Sequence, residues 1–157
     1  MCGIAGWIDT ERDMSSYRRV IHDMTETLKQ RGPDASGIWC SNNALIGHRR
    51  LIVIDPKGGS QPMIREHGGK KYILTYNGEL YNTEDLRKVL QSKGYKFTST
   101  CDTEVLLVSY MEWGAECVEH LNGIFAFGVW NENDKTLFLA RDRFGVKPLF
   151  YTQKSSS

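Results

Sequence analysis

Cysteine stands at position 2, directly after Met1 and ahead of the small, apolar run Gly3-Ile4-Ala5-Gly6. Loss of the initiator methionine, which a small second side chain permits, would leave Cys2 with both a thiol and a free α-amine. The two groups ordinarily titrate within about one pH unit of each other, so the amine can accept the thiol proton near neutral pH without a histidine. That is the equipment of a nucleophilic hydrolase. The same cysteine also reads as a small buried apolar residue, so it needs companions.

Asn77-Gly78, inside Tyr76-Asn77-Gly78-Glu79, is a candidate companion. One reading is a tight turn, since Asn-Gly is a strong hairpin signal. The other is a pair of donors, an Asn side-chain amide beside a glycine N–H with no Cβ in the way, converging on a developing oxyanion. Two charged residues complete the set. Arg50 offers a planar fork for a carboxylate and Asp102 an anion for an ammonium group, which together would hold a zwitterionic amino acid. Each also has a plain reading, Arg50 as surface charge and Asp102 as a helix cap.

The elements that must position these residues are legible in the spacing of apolar side chains. A strand is expected from the first residues to Ile8, and a helix over residues 16–29 with Ser16 as cap and Tyr17, Val20, Ile21, Met24 and Leu28 at helical period. Residues 37–40 and 44–48 read as a hairpin about Ser41-Asn42-Asn43. Residues 72–76 form a strand, Thr83 opens a helix with Leu86, Val89 and Leu90 on its face, and Gly94 stops it. Asn77-Gly78 is therefore expected between a strand and a helix. A third helix follows Asp102, a short helical segment covers 115–121, and residues 124–130 and 137–141 make a second hairpin. Strands, a helix, more strands, helices and strands again suit antiparallel sheets covered by segregated helices, an α+β fold.

Composition bounds the partners. The 157 residues suit one domain, 40% of them are apolar and 25% charged, and the net charge is +1. No basic block suits nucleic acid, and no apolar run approaches the roughly 20 residues of a membrane span. Cys2, Cys40, Cys101 and Cys117 show no metal or redox spacing and are expected to be reduced, in a cytoplasmic protein. His22, His48, His67 and His120 include no pair at metal-ligand spacing and read as surface or satisfied side chains. The aromatic run at 123–130 faintly resembles an RNA-binding strand but lacks its leading basic residue, and reads as core.

Taken in order, Met1-Cys2-Gly3-Ile4-Ala5-Gly6, Arg31-Gly32-Pro33-Asp34, the stretch 48–55, Tyr76-Asn77-Gly78-Glu79-Leu80-Tyr81-Asn82, Asp102-Thr103-Glu104 and Ala140-Arg141-Asp142-Arg143-Phe144-Gly145-Val146-Lys147-Pro148-Leu149-Phe150-Tyr151 resemble the class II glutamine amidotransferases. Within that family they look like the glutaminase domain of glutamine-hydrolysing asparagine synthetases, from residue 2 to about 152. The resemblance implies an N-terminal-nucleophile fold, an α/β/β/α sandwich of two mainly antiparallel sheets between helical layers. It implies Cys2 as nucleophile and Asn77 and Gly78 as oxyanion donors. Arg50 would hold the carboxylate of L-glutamine, Asp102 and Glu79 its amino end, and Leu51, Ile52, Val53 and Ile54 would line the pocket. Arg49 stands where many relatives carry an acidic residue, a departure that touches the pocket rim.

The implied reaction is hydrolysis of L-glutamine to glutamate and ammonia through a thioester on Cys2, with no cofactor and no metal in this domain. ATP and magnesium belong to a covalently linked synthetase domain, expected after Tyr151 and absent here, where ammonia would meet activated aspartate; residues 153–157 read as a linker. Nucleic acid and membrane are not expected as partners; a homodimer is one option. The alternatives are the glutaminase domain of a sugar or phosphoribosyl amidotransferase and a catalytically silent glutamine-binding domain.

Overall fold

The computed structural model describes residues 1–52 and 58–154. Seven strands and three α-helices are present among them: β1 (Gly3–Ile8), α1 (Arg18–Glu26), β2 (Ala35–Cys40), β3 (Ala44–Arg50), β4 (Met63–His67), β5 (Lys70–Leu80), α2 (Thr83–Ser92), α3 (Asp102–Trp113), β6 (Gly123–Asn131) and β7 (Thr136–Arg141). One sheet has the order β1-β3-β2 and the other β4-β5-β6-β7. Every neighbouring pair is antiparallel.

Side chains alternate across each strand, and the alternation builds the layers. In β3, Leu45 packs with Ile21 of α1 and Met14, whereas Ala44 and Ile46 meet Ile73 and Trp130 of the second sheet. In β5, Ile73 points inward to that sheet–sheet contact, while Leu74, Tyr76 and Leu80 point outward to Leu106 and Leu107 of α3. Helix α2 closes over α3 through Leu86, Leu90, Val105 and Val108. The result is the α/β/β/α sandwich expected from the resemblance. No helix among the described residues is long and apolar enough to cross a membrane.

Several local expectations shift. Helix α1 begins at Arg18, after a 3-10 turn at Ser15–Tyr17, and Ser16 does not cap it. The chain instead turns where Asp13 accepts the Ser15 N–H at 2.9 Å. Asn77 and Gly78 do not lie between strand and helix: β5 runs on to Leu80, and they pair with Ala126 and Phe125 of β6. Strand β4 is an edge strand with only Met63 and Ile64 to mark it, and Ile64 is 47% exposed. The segment at 115–121 is a 3-10 turn over Gly114–Glu119. Both hairpins form as read, the first with Ser41 Oγ accepting the Asn43 and Ala44 N–H groups. Gly94, at φ +96°, ends the second helix.

His48 is neither a surface nor a fully satisfied residue. It is fully buried between the sheets, with Nδ1 3.1 Å from Thr75 Oγ1. Thr75 Oγ1 also lies 3.4 Å from the Gly47 carbonyl oxygen, so its hydroxyl bridges that carbonyl and the imidazole. Nε2 meets no partner among the described residues. Burial, aided by the Arg50 charge, lowers its pKa to about 3. The unfolded chain, whose histidines titrate near ~6.5, takes up this proton first, so the neutral ring's contribution is complete above that pH and is lost as pH falls toward the folded value. Between pH 6.5 and 4 the wild-type chain should lose roughly 3 kcal/mol more stability than His48→Leu, read from denaturant midpoints. Parallel pH profiles for the two proteins would contradict this.

Candidate functional site

Parity places the site. Ile4 pairs with His48, so in β1 the even-numbered residues share the inner face with His48 and Arg50, and Cys2, one step before the strand, continues that face. On β5 the inner face carries Ile73 and Thr75 and then Asn77 and Glu79. At this end of the sandwich a cavity of about 180 Å³ opens between the sheets, lined by Cys2, Arg50 and Leu51 on one side and by Asn77, Gly78, Glu79 and Asp102 on the other.

Cys2 Sγ lies 3.4 Å from the Leu51 N–H and 3.7 Å from its carbonyl oxygen. Its own carbonyl accepts Arg31 Nε at 3.3 Å. Arg31-Gly32-Pro33-Asp34 acts as a clamp: Asp34 N–H donates to the Arg50 carbonyl at 3.0 Å, and Asp34 Oδ2 accepts the Ile52 N–H at 2.7 Å. Gly32 is required by close approach, since a Cβ there would stand 2.6 Å from the Arg50 amide nitrogen. The nucleophile candidate and the segment leading into the pocket wall are thus held by one loop. Leu51 lines the cavity, whereas Ile52 is committed to Asp34. Val53 and Ile54 lie outside the described residues.

The edge of β5 supplies the second feature. Strand β4 ends opposite Leu74, where Met63 pairs with it, and beyond that point the N–H groups of residues 76, 78 and 80 face an uncovered edge. Tyr76 N–H donates to Gln61 Oε1 at 2.6 Å and Leu80 N–H to Asp102 Oδ2 at 3.2 Å. By the same alternation the Gly78 N–H, between them, is turned toward the same edge, where the cavity lies. A side chain is not tolerated there: a Cβ on Gly78 would stand 2.7 Å from both Phe125 Cα and Tyr76 Cε2.

Asp102 is the first residue of α3 but not its cap. The capping position is Cys101, which makes no side-chain cap bond, and the Asp102 carboxylate reaches back to β5 instead. Glu104 organises the preceding loop, accepting the N–H groups of Thr98 and Ser99 at 2.9 and 2.7 Å while paired with Arg65. Arg50 is buried, 7% exposed, and not the surface charge that its plain reading made it. Arg49 points the other way, into an ion pair with Glu26 of α1 at 3.0 Å, so its departure from the usual acidic residue leaves the pocket untouched.

Gln61, Tyr76, Cys101 and Lys147 are among the lining residues that were not anticipated. Lys147 arrives through a turn in which the Asp142 carboxylate accepts the N–H groups of Phe125, Val146 and Lys147 at 3.2, 2.9 and 2.9 Å. Its ammonium group lies 2.8 Å from Met1 Sδ. The Asp142–Lys147 stretch was visible only as part of a resembling motif, and nothing in the sequence signals Gln61. Among the described residues no three His, Cys, Asp or Glu side chains are grouped to hold a metal ion.

Both the sequence and the fold are similar to those of known proteins. The profile of the family described as "Glutamine amidotransferase domain" matches residues 1–157. Asparagine synthetase [glutamine-hydrolyzing] 3 of Bacillus subtilis is 55% identical over the whole chain, which covers 26% of that protein. Asparagine synthetase [glutamine-hydrolyzing] 1 of the same organism is 40% identical over 97% of the chain and 24% of its own length. The chain therefore spans about a quarter of the length of these relatives. In fold it is similar to the allosteric regulatory enzyme of purine biosynthesis, with a TM-score of 0.70 at 22% identity over 94% of this chain and 38% of that one. On the sequence match over its whole length, this chain belongs to the glutamine amidotransferase domain family.

Proposed function

We propose that the domain hydrolyses the side-chain amide of L-glutamine through Cys2. The observation that carries the reading is the facing of Cys2 Sγ, on the inner surface of one sheet, by Asn77 and the edge N–H of Gly78 on the other, in a single cavity that also holds Arg50 and Asp102. The thiol proton passes to the α-amine of Cys2, and the sulfur attacks the amide carbon. The carbonyl oxygen takes up the negative charge between the Asn77 side-chain amide and the Gly78 N–H. Collapse, with the proton returned to nitrogen, expels ammonia and leaves a thioester, which water cleaves to glutamate while the amine again serves as base. Arg50 takes the substrate carboxylate, Asp102 and Glu79 its ammonium group, and Leu51 lines the aliphatic wall.

The base belongs to the mature terminus. With Met1 in place the amine sits one residue away, about 3.8 Å along the chain, out of register with the thiol. Removal of Met1 is therefore part of the proposal.

In the intact protein, residues 2–152 would form the glutaminase domain and 153–157 lead into a synthetase domain, where ammonia meets aspartate activated with ATP and magnesium to give asparagine in the cytoplasm. The curated relatives bear that name and are about four times longer. Phe144, Phe150 and Tyr151 are 94%, 92% and 77% exposed, large apolar side chains that a linked domain would cover.

Cys2→Ala should lower glutamate release more than about a thousandfold with an unchanged circular-dichroism spectrum, and Cys2→Ser should be nearly as damaging. Turnover persisting in Cys2→Ala would remove Cys2 as nucleophile. Arg50→Lys keeps the charge and loses the fork, so the Michaelis constant for glutamine should rise roughly tenfold or more. A change of less than about twofold would leave simple charge attraction, without bidentate grip.

A further inference from the structure

Tyr76 belongs by parity to the helix-facing side of β5, yet its hydroxyl ends at the cavity. The ring lies over Gly78, close enough that a Cβ on that residue would stand 2.7 Å from Tyr76 Cε2. From there the hydroxyl donates to Asp102 Oδ2 at 2.8 Å, the same oxygen that accepts the Leu80 N–H at 3.2 Å. No donor among the described residues engages the other oxygen, Oδ1, of this cavity-lining carboxylate.

Burial first, and then the neighbouring Asp102 charge with its hydrogen bond, push the Tyr76 phenol well above the usual tyrosine range, so it remains a donor. The terminal torsion of an aspartate is broad, and a single bond from Leu80 leaves the carboxylate free to swing about that contact. A second donor at the same oxygen, approaching from the tyrosine, fixes the carboxylate plane. The ring's packing against Leu106, Phe125 and Phe127 does not need the hydroxyl, since phenylalanine fills the same space.

We propose that Tyr76 is a positioning residue for substrate recognition: its hydroxyl, bonded to Asp102 Oδ2, turns Asp102 so that Oδ1 meets the ammonium group of the amino-acid substrate. This rests on the assignment of Asp102 to the glutamine ammonium group. Tyr76 touches the substrate only through Asp102, so its effect belongs to binding and not to the chemical step.

The test is a double-mutant cycle of Tyr76→Phe and Asp102→Asn, reading KM and kcat for glutamine, with glutamine affinity measured by calorimetry on a Cys2→Ala background. Tyr76→Phe is expected to raise KM and Kd roughly five- to tenfold with kcat changed less than about twofold, and to add less than about twofold once Asp102 is Asn. An unchanged KM in Tyr76→Phe, a loss confined to kcat, or the same factor in both backgrounds would overturn the proposal, because a structural role ignores Asp102. If Asp102→Asn alone leaves glutamine affinity unaltered, the assignment of Asp102 itself fails and the inference falls with it, through a different arm of the cycle. A fall in melting temperature without a change in affinity counts against Tyr76 as a positioning residue.

Discussion

The pairing register of β5 against β6 is the constraint on which the rest of the site depends. Because side chains alternate with period two, this register sends Ile73, Thr75, Asn77 and Glu79 toward the other sheet and Leu74, Tyr76 and Leu80 toward α3. It also aims the N–H groups of 76, 78 and 80 at the edge beyond β4. A slip of one residue would bury Asn77 among the leucines of α3 and turn Tyr76 toward Cys2. Two glycines hold the register by steric fit. Gly78 leaves no room for a Cβ over Phe125, and a Cβ on Gly123 would stand 2.9 Å from Leu80 Cα. The strand pair approaches so closely at the cavity end that no other residue type fits either place.

Around this rigid pair, carboxylates convert loops into walls. Asp34 fastens the segment after β3, Asp102 ties α3 to the end of β5, Glu104 gathers residues 98 and 99, and Asp142 folds the turn that delivers Lys147. Each accepts backbone N–H groups that lie outside regular hydrogen-bond ladders, which would otherwise be left without partners inside the protein. Burial alone pushes the Glu104 carboxyl up, but the Ser99 hydroxyl and the Thr98 and Ser99 amides outweigh it and hold the group below the usual carboxylate range. Asp142 is balanced in the same way by the amides of Lys147, Val146 and Phe125. Glu104 and Asp142 keep their charge because these donors solvate it, and their loops keep their shape because the charge is there.

Much of the frame was legible in local pattern. The two hairpins, the helix ending at Gly94 and the helix after Asp102 follow from apolar period and turn chemistry, which act over a few residues and survive without knowledge of the fold. The expectations that moved did so for tertiary reasons. Asn77-Gly78 resembles a turn by its residues but remains in the strand because β6, some fifty residues on, pairs with it. Asp102 resembles a cap but bonds to Tyr76 and Leu80. Strand β4, poor in apolar residues, exists through its pairing with β5. His48 and Arg50 are polar residues on a strand that is buried throughout, because sheet and helix cover its two faces.

What the sequence by itself determined is the chemical inventory and its order: a cysteine at position 2, an Asn-Gly pair, an arginine at 50 and an aspartate at 102, in motifs whose match to one family spans the chain. Residue type decides which atoms can attack, donate or carry charge, and that needs no coordinates. Only the tertiary structure decided which of these atoms meet. The facing of Cys2 and Asn77 across two sheets, the edge left open at Gly78, the arrival of Gln61 and Lys147 at the cavity, and the hydroxyl of Tyr76 on Asp102 all join segments that are distant along the chain or separated by strand parity. Such contacts are set by sheet register and layer packing, which depend on the whole core at once and leave no local signature in the residues they bring together.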